Sequence, residues 1–222
     1  MKKLFIVAAI AVIGAQLSAQ ETRFGVKAGY SLSTLKFKDG DTKENTDPSH
    51  TYYGGLLVEH KLSDKFGLQG EVLYSQLGGK ISEKVESQED PGTFFGIKSK
   101  RMLGTVLVPV SAKYFITENF SVSAGASFGF IISAKEKTVA DLGLGMVIPG
   151  FEISGSDKMD VKDQTNTLNI APFLGAEYAL ENGLFFDARY NMGVSNIAKE
   201  SGDGKLTNSF LQVGVGFKFG GN

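Results

Sequence analysis

The residues able to do chemistry are few and unevenly placed. The 222-residue chain has two histidines, His50 and His60, and no cysteine. That composition excludes a catalytic thiol, a thiolate metal site and a disulfide framework. His50 stands close to Asp47 and Ser49, the residue types of a Ser–His–Asp site, in a stretch expected to be a loop. Such sites are recognised by geometry, and neighbours along a chain rarely point the same way, so the spacing assigns no catalytic residue. "KDGDTKENTD" offers Asp39, Asp41, Glu44, Asn45 and Asp47 as hard oxygen donors, but without the order or the terminal Glu of an EF-hand loop. It reads as a solvated acidic loop, with weak divalent binding as the alternative. No metal site and no cofactor is assigned, and the near-neutral net charge of −1 gives no footprint for nucleic acid.

Nine charged residues show a different pattern. Lys27, Glu59, Lys61, Glu71, Lys113, Glu177, Asp187, Arg189 and Lys218, with Gln69 and Gln212, stand singly within apolar segments. Acidic and basic members are nearly matched. They can form a mutually neutralising network, since buried charges need partners. The alternative is a line of ionisable groups that conducts protons or ions. Either use needs an element that turns alternate residues to opposite sides.

That element is the β-strand. In "RFGVKAGYSLSTL", Phe24, Val26, Ala28, Tyr30 and Leu32 alternate with Gly25, Lys27, Gly29, Ser31 and Ser33, the strand period of two. Seven more such segments follow, at about 52–62, 66–79, 101–115, 120–133, 166–179, 184–195 and 207–219, and none holds a helical period. The connectors take turns. "SDK", "ITEN" and "LENG" are tight turns, while 36–51, 80–100, 134–165 and 196–206 are long and polar. This is the asymmetry of an eight-stranded up-and-down meander with two unlike rims. "QEDPGT" has the composition of a hairpin tip, which would carry the third and fourth strands past the rim. The apolar centre of the third long connector, Val139 to Ile153, is expected to form an extended hairpin or flap, with a partner-binding surface as the alternative.

The N-terminus places the chain outside the cytoplasm. Lys2 and Lys3, the apolar stretch Leu4 to Gly14 and the sequence Leu17-Ser18-Ala19 read as a secretory signal cleaved after residue 19 or 20. Its apolar part, about 11 residues, is too short to cross the ~30 Å hydrocarbon core as a helix. Residues 20–222 would then form one exported domain. Later apolar runs are all interrupted within a few residues, so a membrane could be entered only as a closed barrel.

Three observations decide which face of that barrel is apolar. Phe24, Tyr30, Tyr52, Phe66, Tyr74, Tyr114, Phe120, Phe128, Phe130, Tyr178, Phe186 and Tyr190 share the apolar parity, too many rings for an interior only just wide enough for its side chains. The opposite parity is rich in Gly and Ser with interspersed charges, which suits a crowded lumen. The rings also cluster toward the two ends of the strands, with Phe217 and Phe219 on the last one, as two girdles flanking an aliphatic band. The expectation is an all-β, eight-stranded, antiparallel transmembrane barrel with its apolar face in lipid and the nine charges in its lumen. Eight strands leave little free bore, so a wide pore is excluded on geometry.

In "FGVKAGYSLSTL", "GGLLVEHKLSDKFGLQGEVLYSQLG", "VLVPVSAKYF", "FSVSAGASFGFII" and "LFFDARYNMGVSNIA...KLTNSFLQVGVGFKF" the chain resembles the small outer-membrane β-barrel proteins of Bacteroidota, often labelled porin-family or PorT-like. The resemblance runs through the whole mature chain. It implies a cell outer-membrane location, short turns toward the periplasm, contact with lipid including lipopolysaccharide, and help from the barrel-insertion machinery. It implies little about activity. Some relatives serve in secretion and surface export. Such chains often stop on the terminal aromatic of the last strand, whereas here Gly220-Gly221-Asn222 follow Phe219. The functional expectation is a monomeric, non-enzymatic barrel acting through its loops or a protein partner. The alternative is a narrow channel for ions or small solutes.

Overall fold

The computed structural model describes residues 22–40, 42–86, 93–144, 152–199 and 204–220. The signal segment of residues 1–19 lies outside these, as do residues 88–92 of "QEDPGT" and the centre of the Val139–Ile153 stretch. Among the described residues the strands are β1 (Thr22–Asp39), β2 (Thr42–Asn45), β3 (Asp47–Lys61), β4 (Phe66–Glu86), β5 (Thr93–Phe115), β6 (Phe120–Leu144), β7 (Glu152–Asp160), β8 (Leu168–Ala179), β9 (Leu184–Asn191) and β10 (Lys205–Phe219). Eight of them pair antiparallel in chain order, β2 and β7 standing aside as short rim strands on β1 and β6. β10 returns to β1, with Phe24 opposite Phe219 at one end and Lys38 opposite Lys205 at the other. Closure leaves no open edge in the wall, so its backbone groups are paired without water.

The three tight turns share one chemistry. Leu62, Ile116 and Leu180 donate their N–H groups to the carbonyls of Phe66, Phe120 and Leu184, at 2.8, 2.9 and 2.7 Å. A short polar side chain in each turn accepts from the chain ahead: Ser63 from Phe66 N–H, Thr117 from Phe120 N–H and Asn182 from Leu184 N–H. Gly183 in the third turn has φ +92°, which an L side chain reaches only at a cost. We expect Gly183→Ala to lower stability by about 1–2 kcal/mol, measured as a shift of the urea midpoint of the refolded barrel. An unshifted midpoint would show the turn to be adaptable.

The long connectors expected at 80–100 and 134–165 are largely strand. β4 and β5 continue past the rim to Glu86 and from Thr93, and β6 runs on to Leu144 and pairs with β7. The strand expected to end at residue 195 stops at Asn191. Pro172 accepts from Met192 N–H at 2.9 Å but has no N–H to return, which interrupts the regular β8–β9 ladder, although Val194 N–H still donates to the Ile170 carbonyl at 2.9 Å. On β6 the register slips between the pairs Thr105–Ile131 and Gly104–Ser133, leaving Ile132 as a bulge. Below it the odd-numbered residues face inward; above it Ala134 and Glu136 do. A single inserted residue thus exchanges the two faces of a strand.

Candidate functional site

Alternation along the strands delivers eight of the nine charged residues to one level of the lumen, in two sets. In the first, Lys27 Nζ lies 2.8 Å from Asp187 and 3.3 Å from Glu71. Arg189 Nη2 lies 2.6 Å from Glu71 and 3.4 Å from Asp187. In the second, Lys113 Nζ donates to Glu59 at 2.5 Å and Glu177 at 2.7 Å, and Lys218 Nζ donates to the same two at 2.7 and 2.5 Å. Gln69 joins the sets, donating to Glu71 at 2.6 Å and accepting from Lys113 at 3.1 Å. Each set holds two cations and two anions and is almost wholly shielded from solvent. That is the condition under which buried charge is tolerated.

Lys61 does not join them. It is the last residue of β3, half-buried at the short-turn rim, with its ammonium 5.0 Å from the Phe115 ring. It makes no ion pair among the described residues. A long side chain at a strand end reaches water and has no need of a buried anion.

Every cation of the two sets also sits against an aromatic ring inside the lumen. Lys218 is 4.7 Å from the Phe185 centroid, Arg189 5.0 Å from Phe173, Lys113 5.6 Å from Phe115 and Lys27 5.7 Å from Tyr53. Each cation therefore has carboxylates on one side and the negative face of a ring on another. These inward rings departed from the expectation of a lumen of small polar groups. The signal for three of them was the doublets Tyr52-Tyr53, Tyr114-Phe115 and Phe185-Phe186, because consecutive strand residues must face opposite ways. Glycines make the room: a Cβ on Gly216 would overlap the Phe185 ring, and one on Gly214 the Tyr53 hydroxyl.

The lumen is layered. On the long-hairpin side of the charges lies an apolar layer that includes Leu35, Leu73, Leu77, Leu103, Leu107 and Phe210. Beyond it opens a mouth cavity of about 1110 Å³, where Arg101 donates to Glu136 through Nε at 3.1 Å and Nη2 at 2.8 Å. At the short-turn rim a second cavity measures about 820 Å³. Between the two, the space beside Gln69, Glu71, Lys113 and Arg189 is about 10 Å³, at the lower limit for a single water molecule.

The outward parity carries the expected rings. Phe24, Tyr52, Phe66, Tyr74, Tyr114, Phe128, Phe130, Tyr178, Phe186, Tyr190, Phe217 and Phe219 are exposed, and Tyr30 and Phe120 half-buried. His50 lies on β3, not in a loop, and its Nδ1 meets the Tyr30 hydroxyl on the outer face. Ser49, one residue earlier, is buried inside, so the two cannot act together. The oxygen donors of the first hairpin are dispersed over β1, β2 and β3, with Asp41 outside the described residues. On the β6–β7 hairpin the Ser154 hydroxyl at 2.7 Å and the Lys98 ammonium at 3.1 Å hold the Asp141 carboxyl below its ordinary pKa.

The chain is similar to several solved structures. Ail, the attachment invasion locus protein of Yersinia pestis, is 14% identical, with 90% of this chain and 99% of that one covered and a TM-score of 0.45. Neisserial surface protein A is 18% identical over 88% and 97%, with a TM-score of 0.40. The outer membrane protein OprG from Pseudomonas aeruginosa is 13% identical over 92% and 99%, with a TM-score of 0.40. No curated protein matches the sequence. The model of the outer membrane protein beta-barrel domain matches residues 15–199, most of the wall and the lumen charges except Lys218. With its closed antiparallel wall and exposed apolar face, the chain belongs to the outer-membrane β-barrel domain family, and it resides in the outer membrane.

Proposed function

We propose that the protein is a plugged, non-enzymatic, monomeric barrel that works through its long hairpins. The observation that carries this is the lumen: two neutral sets of charges meet across it, and the space beside them is about 10 Å³, room for no more than one water. Function then falls to the β4–β5 and β6–β7 hairpins, in surface interaction, envelope integrity or an accessory part in export, with a protein partner engaged there. The resemblance to PorT-like proteins of Bacteroidota supports the export role, and it orients the tight turns toward the periplasm and the hairpins outward. Residues 1–19 would be the cleaved signal and 20–222 the inserted domain. Lipid including lipopolysaccharide surrounds the barrel, and the insertion machinery delivers it. Neither cofactor nor metal is needed for this role.

One observation favours a narrow channel instead. The two open cavities face one another with the apolar layer and the charged plug between them, and both barriers are built of side chains that could rearrange to join them. Planar-bilayer recording of the refolded barrel separates the two readings. We expect silence, with folding verified by a heat-sensitive gel shift. Steady discrete openings whose ion selectivity changes in Arg189→Ala or Glu71→Ala would overturn the plugged reading and make the charge sets a conduction path.

A further inference from the structure

Above the wall, the sheet of β4, β5, β6 and β7 has two unlike faces. One continues the lumen and lines the mouth cavity through Ile81, Ser99, Arg101 and Glu136. The opposite face continues the outward, lipid-exposed side. On it Lys80 stands opposite Lys100, Lys100 opposite Lys137, and Lys137 opposite Lys158. Four lysines therefore run in one row straight across four strands, about 15 Å from end to end at the usual strand spacing. Lys135 lies two residues nearer the membrane and Lys98 two residues further out on the same face.

Like charges placed directly opposite in a sheet repel and destabilise it. Among the described residues nothing relieves that repulsion. None of Lys80, Lys100, Lys137 and Lys158 makes an ion pair among the described residues. Among the described side chains the anions on this face are Asp141, held by Lys98 and Ser154, Asp160, opposite Lys135 and accepting from Lys162 N–H, and Asp47, opposite Lys80 beyond the end of the row. Six described lysines thus face three aspartates.

The position of the row identifies what neutralises it. Following β5 outward from Val110 and Val106 through Met102, and β6 from Phe128 and Phe130 through Ile132, the outward residues stay uncharged, and apolar apart from Ser133, until Lys100 and Lys135 are reached. Lys100 lies fourteen residues beyond Tyr114 at the tight-turn end of β5, about 46 Å along the strand and about 35 Å along the membrane normal at the usual barrel tilt. The row therefore stands just above the ~30 Å hydrocarbon core, at the height of the outer-leaflet headgroups. We propose that it is a docking site for the phosphate-bearing headgroup of an outer-leaflet glycolipid, which supplies the anions the fold omits. Its apolar chains lie against the β5–β6 wall below, and its phosphates bridge lysines of adjacent strands. The proposal rests on the lipid-facing assignment of the outer wall, not on whether the lumen conducts.

The test compares the refolded full-length barrel with the Lys100→Gln/Lys137→Gln double variant and a charge-matched control, Lys65→Gln/Lys199→Gln, whose lysines are exposed and stand opposite no other lysine, in zwitterionic micelles titrated with bisphosphorylated lipid A. Without added lipid, the double variant is expected to unfold at a higher temperature than the parent, because the internal repulsion is relieved. With lipid A, the order should reverse: the parent gains the larger upward shift and binds at least tenfold more tightly, while the control behaves as the parent. Lys158→Gln on the short β7 is the fallback should the double variant not fold, with the same signs expected. Equal binding by parent and double variant overturns the proposal, as does an equal loss in the control. Inorganic pyrophosphate binding as tightly as lipid A would assign the row to a soluble polyanion and overturn the lipid assignment. A barrel that folds in micelles but will not insert into phosphatidylcholine vesicles would instead overturn the lipid-facing assignment beneath it.

Discussion

Glu59→Ala is expected to cost the folded barrel about 3–5 kcal/mol, the range for breaking a buried charge pair by removing one partner. Glu59 accepts from both Lys113 and Lys218, so its loss leaves two buried ammonium groups sharing Glu177. The measurement is equilibrium urea unfolding in phospholipid vesicles. The companion variant is Glu59→Ala/Lys218→Met, which removes one cation along with the anion and restores neutrality. It should recover much of the loss, because a buried pair replaced by apolar groups of similar size is often near neutral. A single-variant cost under about 1 kcal/mol, the size of an exposed pair, would mean that water reaches the network and that the plug is soft.

The second large effect comes from Gly216. A Cβ there meets the Phe185 ring and also the Val26 carbonyl of the neighbouring strand. Gly216→Ala should cost about 1–3 kcal/mol, the usual range for overpacking. Phe185→Leu would free the ring's space at its own price in packing against Lys218. In the double variant the two changes should interact favourably by about 1 kcal/mol or more, as contacting residues do. Simple additivity would show that the backbone carbonyl, not the ring, is the obstacle.

Much of the barrel was legible because its wall obeys one rule. Period-two alternation placed the strands, the tight turns and the outward face, including rings such as Tyr52 and Phe128. The same rule placed Lys27, Glu71 and Arg189 inside. It could not say which inward residues meet, because that depends on stagger between strands and on side-chain conformers. Hence the division of the charges into two neutral sets was invisible, as was the exclusion of Lys61. The inward rings were missed for another reason: the count of aromatic residues on the apolar parity drew attention from the doublets, where one of each pair must point inward. Leu73, Leu77, Leu103 and Leu107 were missed similarly, since in runs such as "VLVPV" both parities are apolar and the inward set has no contrast. The Ile132 bulge erased the pattern beyond it. It also turned Glu136 to the cavity and Lys135 and Lys137 away from it.

The assembly of the two charge sets bears on how the barrel forms. Lys27, Glu71, Asp187 and Arg189 come from β1, β4 and β9; Glu59, Lys113, Glu177 and Lys218 come from β3, β5, β8 and β10. No isolated hairpin holds a complete set, and the second is finished only when the final strand arrives. A partly inserted sheet would carry uncompensated charges into hydrocarbon, where each is heavily penalised. Intermediates are thus raised in energy relative to both ends of the pathway. Insertion becomes cooperative, with the β1–β10 seam and the ionic plug completed in the same late step.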